Sequence, residues 1–231
     1  VTAQQEGKTP EQVAMEYHKL NSGSIERMGI SFDLFSHTHT EEHAEVALSI
    51  LKKLDDNGYI EPRISEEPYD PIANQFLPDR YVEGTCPHCN YDSARGDQCD
   101  DCGKTLDSKE LINPRSKLNP DAKIEFRETE HLFFKLSEFR DVLLEWLSEG
   151  KEHWRPSVIN FTRNWLKEGL IDRAVTRDLD WGIEIPREGY ENKRMYVWFE
   201  AVMGYYSASV HWAKNQGKPD EWKKWWENED S

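Results

Sequence analysis

Apolar residues recur at helical spacing in five segments of this chain. The first helix is predicted to begin with a capping box at Thr9 and to run to about Leu20. The second is predicted to begin at Thr40, with acidic residues in its first turn, and to end at the Asn-Gly pair at 57–58. Its predicted apolar face is formed by Val46, Ala47, Ile50, Leu51 and Leu54.

Three further helices are predicted in the second half of the chain. One covers residues 137–149, and its apolar side carries Phe139, Val142, Leu143, Trp146 and Leu147. Another begins at Pro156 and is closed by Gly169, and its apolar side carries Val158, Phe161, Trp165 and Leu166. The last covers about residues 201–214.

The strand patterns are shorter. Residues 28–35 predict a short buried strand, residues 128–136 a second, and residues 194–198 a third that ends in Tyr196-Val197-Trp198. Between residues 59 and 120 proline recurs and apolar runs are short, which predicts an irregular, turn-rich β module. Strands separated by helices at both ends of a β-rich middle predict a mixed α/β fold whose core is split by an insertion.

Composition excludes a wholly disordered chain, because nine Trp, nine Tyr and nine Phe can fill a sizeable core. The 44 acidic residues outnumber 29 basic ones, and the net charge of −15 argues, taken alone, against a DNA or RNA partner. That argument weakens locally, because residues 80–118 carry six Lys/Arg against seven Asp/Glu.

Targeting signals are not evident in the sequence. No run of about 18 apolar residues predicts a membrane span, and the first residues lack the basic and apolar regions of a signal peptide. The chain also lacks an initiator Met, so we expect a fragment of a longer protein. All four cysteines fall between positions 86 and 102, which favours a metal site in a reducing compartment, and hence a cytoplasmic protein.

The cysteines form two Cys-x2-Cys pairs separated by nine residues, Cys86 with Cys89 and Cys99 with Cys102. Each pair presents two sulfurs on one side of a tight turn, and together they supply four tetrahedral ligands. We therefore predict a structural zinc knuckle at about residues 80–112, with no open position for catalysis. Two disulfides, four free buried thiols, or iron in place of zinc are the alternatives.

His37, His39 and His43 lie close together in the sequence. We interpret them as polar residues at a strand-to-helix junction and not as a metal site, because no nearby Cys or Asp completes a coordination shell. The chain contains no Gly-x-x-x-x-Gly-Lys phosphate loop, no Gly-x-Ser-x-Gly and no His-Glu-x-x-His motif.

Three segments resemble methionyl-tRNA synthetases. They are Gly-Ile-Ser-Phe-Asp at 29–33, Phe-Leu-Pro-Asp-Arg-Tyr-Val-Glu-Gly-Thr-Cys-Pro at 76–87, and Tyr-Val-Trp-Phe-Glu-Ala at 196–201 followed by Gly-Tyr at 204–205. The likeness is collinear from about Thr9 to Trp212, and the segment leading into the first cysteine pair is highly specific, because many residues match in order.

This resemblance implies a class I synthetase whose Rossmann core is interrupted by a zinc-bearing connective insertion. Residues 1–40 would then be the end of the first Rossmann half, residues 41–194 the insertion, and residues 195–231 the start of the second half. The implied enzyme, a methionine--tRNA ligase, uses ATP with Mg²⁺ to activate methionine and transfers it to tRNA(Met), with no membrane or DNA partner.

The resemblance also implies site residues. The positions of Trp198, Ala201, Val202 and Tyr205 would line the methionine pocket, where an aromatic, apolar box with one hydroxyl suits a thioether. Arg177 would lie beside the adenylation site as a catalytic residue, and Glu184 near the ATP ribose. Many family members have Asp and Pro where this chain has Glu200 and Val202; the carboxylate and the apolar wall are nevertheless kept.

Two ATP-binding motifs of the family, His-Ile-Gly-His and Lys-Met-Ser-Lys-Ser, do not occur in the chain. We therefore expect that this polypeptide alone does not catalyse adenylation. A competing hypothesis is a stand-alone zinc-knuckle module without enzymatic ancestry that binds protein or RNA.

Overall fold

The computed structural model describes residues 2–227. Within that range the α-helices are α1 Thr2–Glu6, α2 Pro10–Arg27, α3 Glu41–Asp56, α4 Arg140–Trp146, α5 Pro156–Glu168, α6 Val197–Glu200, α7 Gly204–Asn215 and α8 Lys223–Trp226. The strands are β1 Ile60–Asp70, β2 Gln75–Phe76, β3 Val82–Thr85, β4 Ala94–Arg95, β5 Ile112–Ser116, β6 Glu125–Phe134, β7 Arg173–Ala174, β8 Thr176–Asp178 and β9 Lys193–Met195. Short 3-10 helices cover Asp79–Tyr81, Leu136–Phe139 and Ala201–Met203. The mixed α/β class predicted from the sequence is confirmed.

Side-chain caps fix the starts of α2 and α3 as predicted. Thr9 Oγ1 accepts a hydrogen bond from the Gln12 N–H at 3.2 Å, and the Gln12 side chain accepts one from the Thr9 N–H at 2.9 Å. Thr40 Oγ1 accepts from the His43 N–H at 3.1 Å. Helix α2 continues to Arg27 instead of ending near residue 20, because no residue in that stretch breaks a helix outright.

The strands of the described residues pair antiparallel throughout, in sheets of order β2-β1-β6-β7, β4-β3-β5 and β8-β9. Strand β1 is long and regular, pairing with β6 from Ile60–Phe134 to Tyr69–Glu125, although its prolines had suggested an irregular module. The Pro68 carbonyl accepts from the Leu77 N–H at 2.8 Å. The backbone of Pro68 therefore faces away from β6, and the absence of its N–H breaks no bond between β1 and β6.

Two hydrophobic cores are separate from each other. The larger one is built from α3, the β1–β6 pair and the segments around β8 and β9, and its buried members are Ala47, Leu51, Ile60, Leu132, Val175, Ile185, Tyr190 and Met195. The smaller one surrounds the cysteines, and its buried members are Leu77, Val82, Cys86, Ala94, Cys99 and Leu111. The cysteine-bearing module thus has a small core of its own.

Asp70 joins the two modules. Its Oδ2 accepts hydrogen bonds from Ser116 Oγ at 2.8 Å and from Asn119 Nδ2 at 2.9 Å, and its Oδ1 accepts from the backbone N–H groups of residues 72 and 73, each at 2.9 Å. The side chain is fully buried. One carboxylate therefore links the end of β1 to the end of β5.

The predicted strand at residues 28–35 is wrong. The segment has no regular structure, Ile30 is 48% exposed and Phe32 58% exposed. Alternating apolar residues form a strand only where a neighbour pairs with their backbone, and no strand among residues 2–227 does so. The Phe35 ring instead stacks on the His18 ring of α2, with 5.1 Å between ring centroids.

The predicted strand at residues 194–198 is wrong in its second half. Strand β9 ends at Met195, and helix α6 begins at Val197, because the Phe199 and Glu200 N–H groups bond back to the Tyr196 carbonyl at 2.9 and 3.2 Å. A short apolar run fits a strand and a helical turn equally well by periodicity. The helix predicted at about 201–214 forms as a 3-10 turn followed by α7.

The helices predicted at 137–149 and 156–169 form, but their apolar sides are largely uncovered. Leu147 and Leu166 are buried. Five other large apolar side chains on these helices are at least 46% exposed, namely Val142, Trp146, Val158, Phe161 and Trp165, whereas Leu143, Leu144 and Ile159 are half-buried. No helix among residues 2–227 has the length and apolar character needed to cross a membrane.

Candidate functional site

The four cysteine sulfurs converge at the tip of the small module. Cys86 and Cys89 lie in the turn after β3, and Cys99 and Cys102 lie in the turn after β4. All four sulfurs lie within 4.8 Å of one another, with 3.9 Å between Cys86 and Cys102 and 3.6 Å between Cys89 and Cys99. Sulfurs at about 2.3 Å from one tetrahedral ion are about 3.8 Å apart, whereas a disulfide needs about 2.05 Å. The cluster could therefore hold a metal ion.

Both cysteine turns use the same backbone construction. The Asn90 N–H bonds to the Cys86 carbonyl at 3.0 Å, and the Gly103 N–H bonds to the Cys99 carbonyl at 3.0 Å. Asn90 and Gly103 both have positive φ, 62° and 71°, a conformation that Gly and Asn tolerate best. In the sequence, the Asn directly after Cys89 and the Gly directly after Cys102 are the signals for these two turns.

The environment of the Cys86 sulfur suits a thiolate, whereas at Cys89 a backbone hydrogen bond favours ionisation but burial and the neighbouring thiols outweigh it and raise the pKa to about 12. Cys86 and Cys99 are buried, and Cys102 is exposed. Burial opposes ionisation of Cys86, but the backbone N–H groups of residues 88 and 89, together with the neighbouring thiols, lower its pKa to about 7. One of these donors, the His88 N–H, lies 3.4 Å from Cys86 Sγ. A thiol that ionises near neutral pH is a good metal ligand.

Four cations around the cysteine turns are paired with carboxylates. Arg80 bonds to Asp97 at 3.0 Å and Arg95 to Asp100 at 2.9 Å. Glu83 accepts from both Arg115 at 3.0 Å and Lys117 at 3.1 Å. Most of the positive charges in this part of the sequence are thus neutralised by carboxylates of the same module.

Arg177 lies in a partly buried cluster that sequence reasoning did not foresee. Its Nη2 is 3.4 Å from Asp79 Oδ2, and its guanidinium lies 3.9 Å from the centre of the Tyr196 ring. The Tyr196 hydroxyl donates to the same Asp79 oxygen at 2.7 Å. Burial alone would lower the pKa of Arg177, but Asp79 and Tyr196 raise it. A permanent cation is therefore held between β8 and the segment that leads into the cysteine module.

Glu184 stands apart from that cluster. Its side chain is 82% exposed, and Oε1 lies 3.4 Å from Arg194 Nη2. The backbone at Glu184 forms an isolated bridge with Arg194. The carboxylate is therefore held loosely at the surface and is open to a ligand hydroxyl.

Trp198, Val202 and Tyr205 share one face of the helical segment that runs through α6, the 3-10 turn and α7. Their exposed fractions are 57%, 67% and 79%, and Ala201 beside them is half-buried. The Arg80 guanidinium lies 5.9 Å from the centre of the Trp198 ring. The four predicted pocket residues thus lie along one helical segment and present an open, largely apolar surface; that this surface is a wall of a methionine pocket stays a prediction.

The opposite face of the same helical segment carries a buried polar network. His43 of α3 places Nδ1 2.8 Å from Ser207 Oγ, and its Nε2 forms a short hydrogen bond with Glu200 Oε2. His43 is 1% exposed, Ser207 4% and Glu200 8%. Sequence reasoning missed this network. Two features of the sequence could have indicated the network. His43 lies on the predicted apolar face of α3, and Glu200 and Ser207 are seven residues apart, a spacing that places both on one face of a helix.

Comparison with known proteins identifies close relatives. A family model described as tRNA synthetases class I (M) matches residues 1–231. Methionine--tRNA ligases of Dehalococcoides mccartyi strain 195 and Thermomicrobium roseum are 54% and 51% identical over 226 residues, 98% of this chain, which span 40% and 38% of those ligases. The chain thus spans about two fifths of the length of these curated relatives.

Solved structures support the fold. A Mycobacterium tuberculosis methionyl-tRNA synthetase in complex with methionyl-adenylate is similar with a TM-score of 0.60 at 20% identity, over 90% of this chain and 36% of that one. The free form of the Mycobacterium tuberculosis enzyme is similar with a TM-score of 0.54 over 87% of this chain.

Proposed function

Because this chain belongs to the class I methionyl-tRNA synthetase family, we propose that it is the zinc-bearing connective region, with one wall of the methionine pocket, of a methionine--tRNA ligase. Such an enzyme joins methionine to ATP as methionyl-adenylate, releases pyrophosphate, and transfers the methionyl group to tRNA(Met). The identity of 54% over nearly the whole chain carries the proposal. Family membership also removes the alternative of a module without enzymatic ancestry.

For the metal we propose one structural zinc ion held by Cys86, Cys89, Cys99 and Cys102. The sulfur separations fit a tetrahedral site, and four thiolates leave no open position for a reacting group. Zinc with four thiolates adds a charge of about −2 to the module. The ion would supply folding energy to a segment whose own apolar core is small.

For substrate recognition we propose that Trp198, Ala201, Val202 and Tyr205 contact the methionine side chain. An exposed aromatic and aliphatic surface suits a polarizable thioether, and the Tyr205 hydroxyl offers one donor for sulfur. The wall is open, so other parts of the ligase would close it around the substrate. Binding and orientation would be its contribution, since adenylate formation of this kind needs no protein nucleophile.

For the ATP side we propose Arg177 as the cation beside the adenylation site and Glu184 as a ligand of the ribose hydroxyls. Arg177 is held by Asp79 and Tyr196, so its position is set before substrate binds. A fixed guanidinium stabilises developing negative charge without reorganisation. The surface carboxylate of Glu184 is accessible to hydroxyl donors.

For the domain organisation we propose that residues 41–194 are the connective insertion, between the end of one Rossmann half (1–40) and the start of the other (195–231). The antiparallel sheets all lie within the proposed insertion except for Met195, the last residue of β9. Residues 228–231 lie outside the described part of the chain.

The proposed function is tested by methionine-dependent ATP–pyrophosphate exchange in two proteins, a full-length ligase containing this region and the 231-residue chain alone. We expect exchange in the first and none above the blank in the second, because the motifs that bind ATP phosphates are not in this chain. Exchange by the short chain would overturn the proposed division of labour. A full-length protein without exchange would overturn the proposed function itself.

A further inference from the structure

The network of His43, Glu200 and Ser207 has no part in the chemistry described above, although it lies directly behind the proposed methionine wall. We propose that Glu200, clamped by His43 and Ser207, is a positioning residue that fixes the orientation of Trp198, Val202 and Tyr205. The inference rests on the proposed function, because it assigns these buried groups a role in presenting that wall to methionine.

The buried polar face and the exposed apolar face lie on opposite sides of the helical segment. Glu200 lies two positions after Trp198 and two before Val202, and at about 100° per residue it points about 200° away from each. Ser207 has the same relation to Tyr205. Accordingly Glu200 and Ser207 are buried, while Trp198, Val202 and Tyr205 are more than half exposed. A rotation of the segment about its axis would move both faces together.

Local sequence does little to hold this segment. Helix α6 is a single turn. None of the three parts of the segment, α6, the 3-10 turn and α7, has a side-chain cap at its start. A segment that changes helix type and lacks caps has weak local preferences. Its orientation must come from contacts with the rest of the molecule, and the buried contacts to His43 are polar and directional.

His43 is itself held rigidly. Its backbone N–H donates to the Thr40 cap at 3.1 Å, so the residue sits in the fixed first turn of α3. From there its ring reaches two residues that lie 157 and 164 positions away in the sequence. The clamp therefore ties the proposed insertion to the proposed methionine wall.

The hydrogen-bond pattern assigns the protons. Ser207 Oγ donates to the Gly204 carbonyl at 3.1 Å, so it must accept from His43, and Nδ1 carries the hydrogen. One further proton must lie between His43 Nε2 and Glu200 Oε2, since two bare acceptors would repel each other at hydrogen-bond distance. Each of the three hydrogen bonds then has one donor and one acceptor, and removal of one member leaves a buried polar group without its partner.

The experiment uses the full-length ligase and measures KM for methionine, KM for ATP and kcat in ATP–pyrophosphate exchange, with thermal unfolding as a parallel readout. We expect His43→Ala and Glu200→Ala each to raise KM for methionine by about tenfold or more, the loss typical of a buried charged hydrogen bond, with KM for ATP within about twofold of wild type. Ser207→Ala, the mildest change, should raise KM for methionine by less than the other two.

Two controls separate positioning from loss of stability. Leu51→Ala removes a buried side chain of the same helix α3 that the network does not use. It should lower the unfolding temperature without changing KM for methionine. Glu200→Gln keeps the side-chain length, and its amide can donate to a bare His43 Nε2, so it should retain most of the methionine affinity.

The inference is overturned if the His43, Glu200 and Ser207 variants keep the wild-type KM for methionine. It is equally overturned if Leu51→Ala raises that constant as much as His43→Ala does at a matched loss of unfolding temperature. A wild-type ligase without methionine-dependent exchange would instead contradict the proposed function, so the two failures are distinguishable.

Discussion

The cysteine module and the proposed methionine wall are organised in opposite ways. The sulfurs are brought together by contacts over at most 16 residues, through two turns of the same construction. The proposed wall lies on a helical segment contacted by a histidine that is 157 and 164 residues from its two partners in the sequence. A local site can be recognised from residue spacing, whereas a site held from a distance appears only when the chain is folded.

The largest effect is expected from removing a metal ligand. Cys99→Ser should reduce zinc from about one ion per chain to near zero and unfold the module around it, because such ions supply on the order of 10 kcal/mol of local folding energy. Elemental analysis and limited proteolysis within residues 77–118 measure both effects. His88→Ala is the matched control, since only its backbone N–H contacts a cysteine sulfur. Full zinc in Cys99→Ser would contradict the four-sulfur site.

The next effect tests whether the two cores are independent. Leu132 is 2% exposed in the larger core, so Leu132→Ala should lower the free energy of unfolding by about 2–5 kcal/mol. Zinc content should remain that of wild type, because the cysteine module has its own core. Denaturant unfolding followed together with zinc release checks this. Zinc release that shifts to lower denaturant in the variant, together with unfolding of the larger core, would show that the modules are not separate.

A smaller, pH-dependent effect is expected at the joint between the modules. Burial raises the pKa of Asp70, but its four hydrogen bonds outweigh burial and lower it. A carboxyl group with a lowered native pKa stabilises the fold above its unfolded value of about 3.9, and this contribution is lost as pH falls through the native value. Asp70→Asn should therefore be less stable at pH 7 and lose less stability on acidification. Parallel acid titrations of unfolding would refute this if both proteins lost stability equally.

The smallest effect belongs to the first cysteine turn. Asn90 has a φ of 62°, so Asn90→Ala should cost about 1 kcal/mol of unfolding free energy, whereas Asn90→Gly should be nearly neutral. Thermal unfolding of the zinc-loaded protein compares the two variants. Equal losses in both would mean that the asparagine side chain, and not its backbone conformation, holds the turn.

The sequence allowed prediction of those features that depend on neighbouring residues. Two kinds of feature are confirmed, namely the helix caps at Thr9 and Thr40 and the clustering of the four cysteine sulfurs. They could be predicted because each depends on residues that are close together in the sequence. The strand predicted at 28–35 and the second half of the strand predicted at 194–198 were wrong, because an apolar run does not specify whether another strand will pair with its backbone. The partners of Arg177 and the network of His43 were not foreseen, since they join segments up to 164 residues apart.

A matched pair of tryptophans gives the most direct test of the proposed wall. Trp198 and Trp165 are similarly exposed, 57% and 51%, but only Trp198 belongs to the wall. In a full-length ligase, Trp198→Ala should raise KM for methionine by about tenfold or more, as expected for losing an aromatic contact that substrate binding buries, while Trp165→Ala should stay within about twofold of wild type. Equal effects of the two substitutions, or no effect of Trp198→Ala, would contradict the assignment of this helical face to methionine.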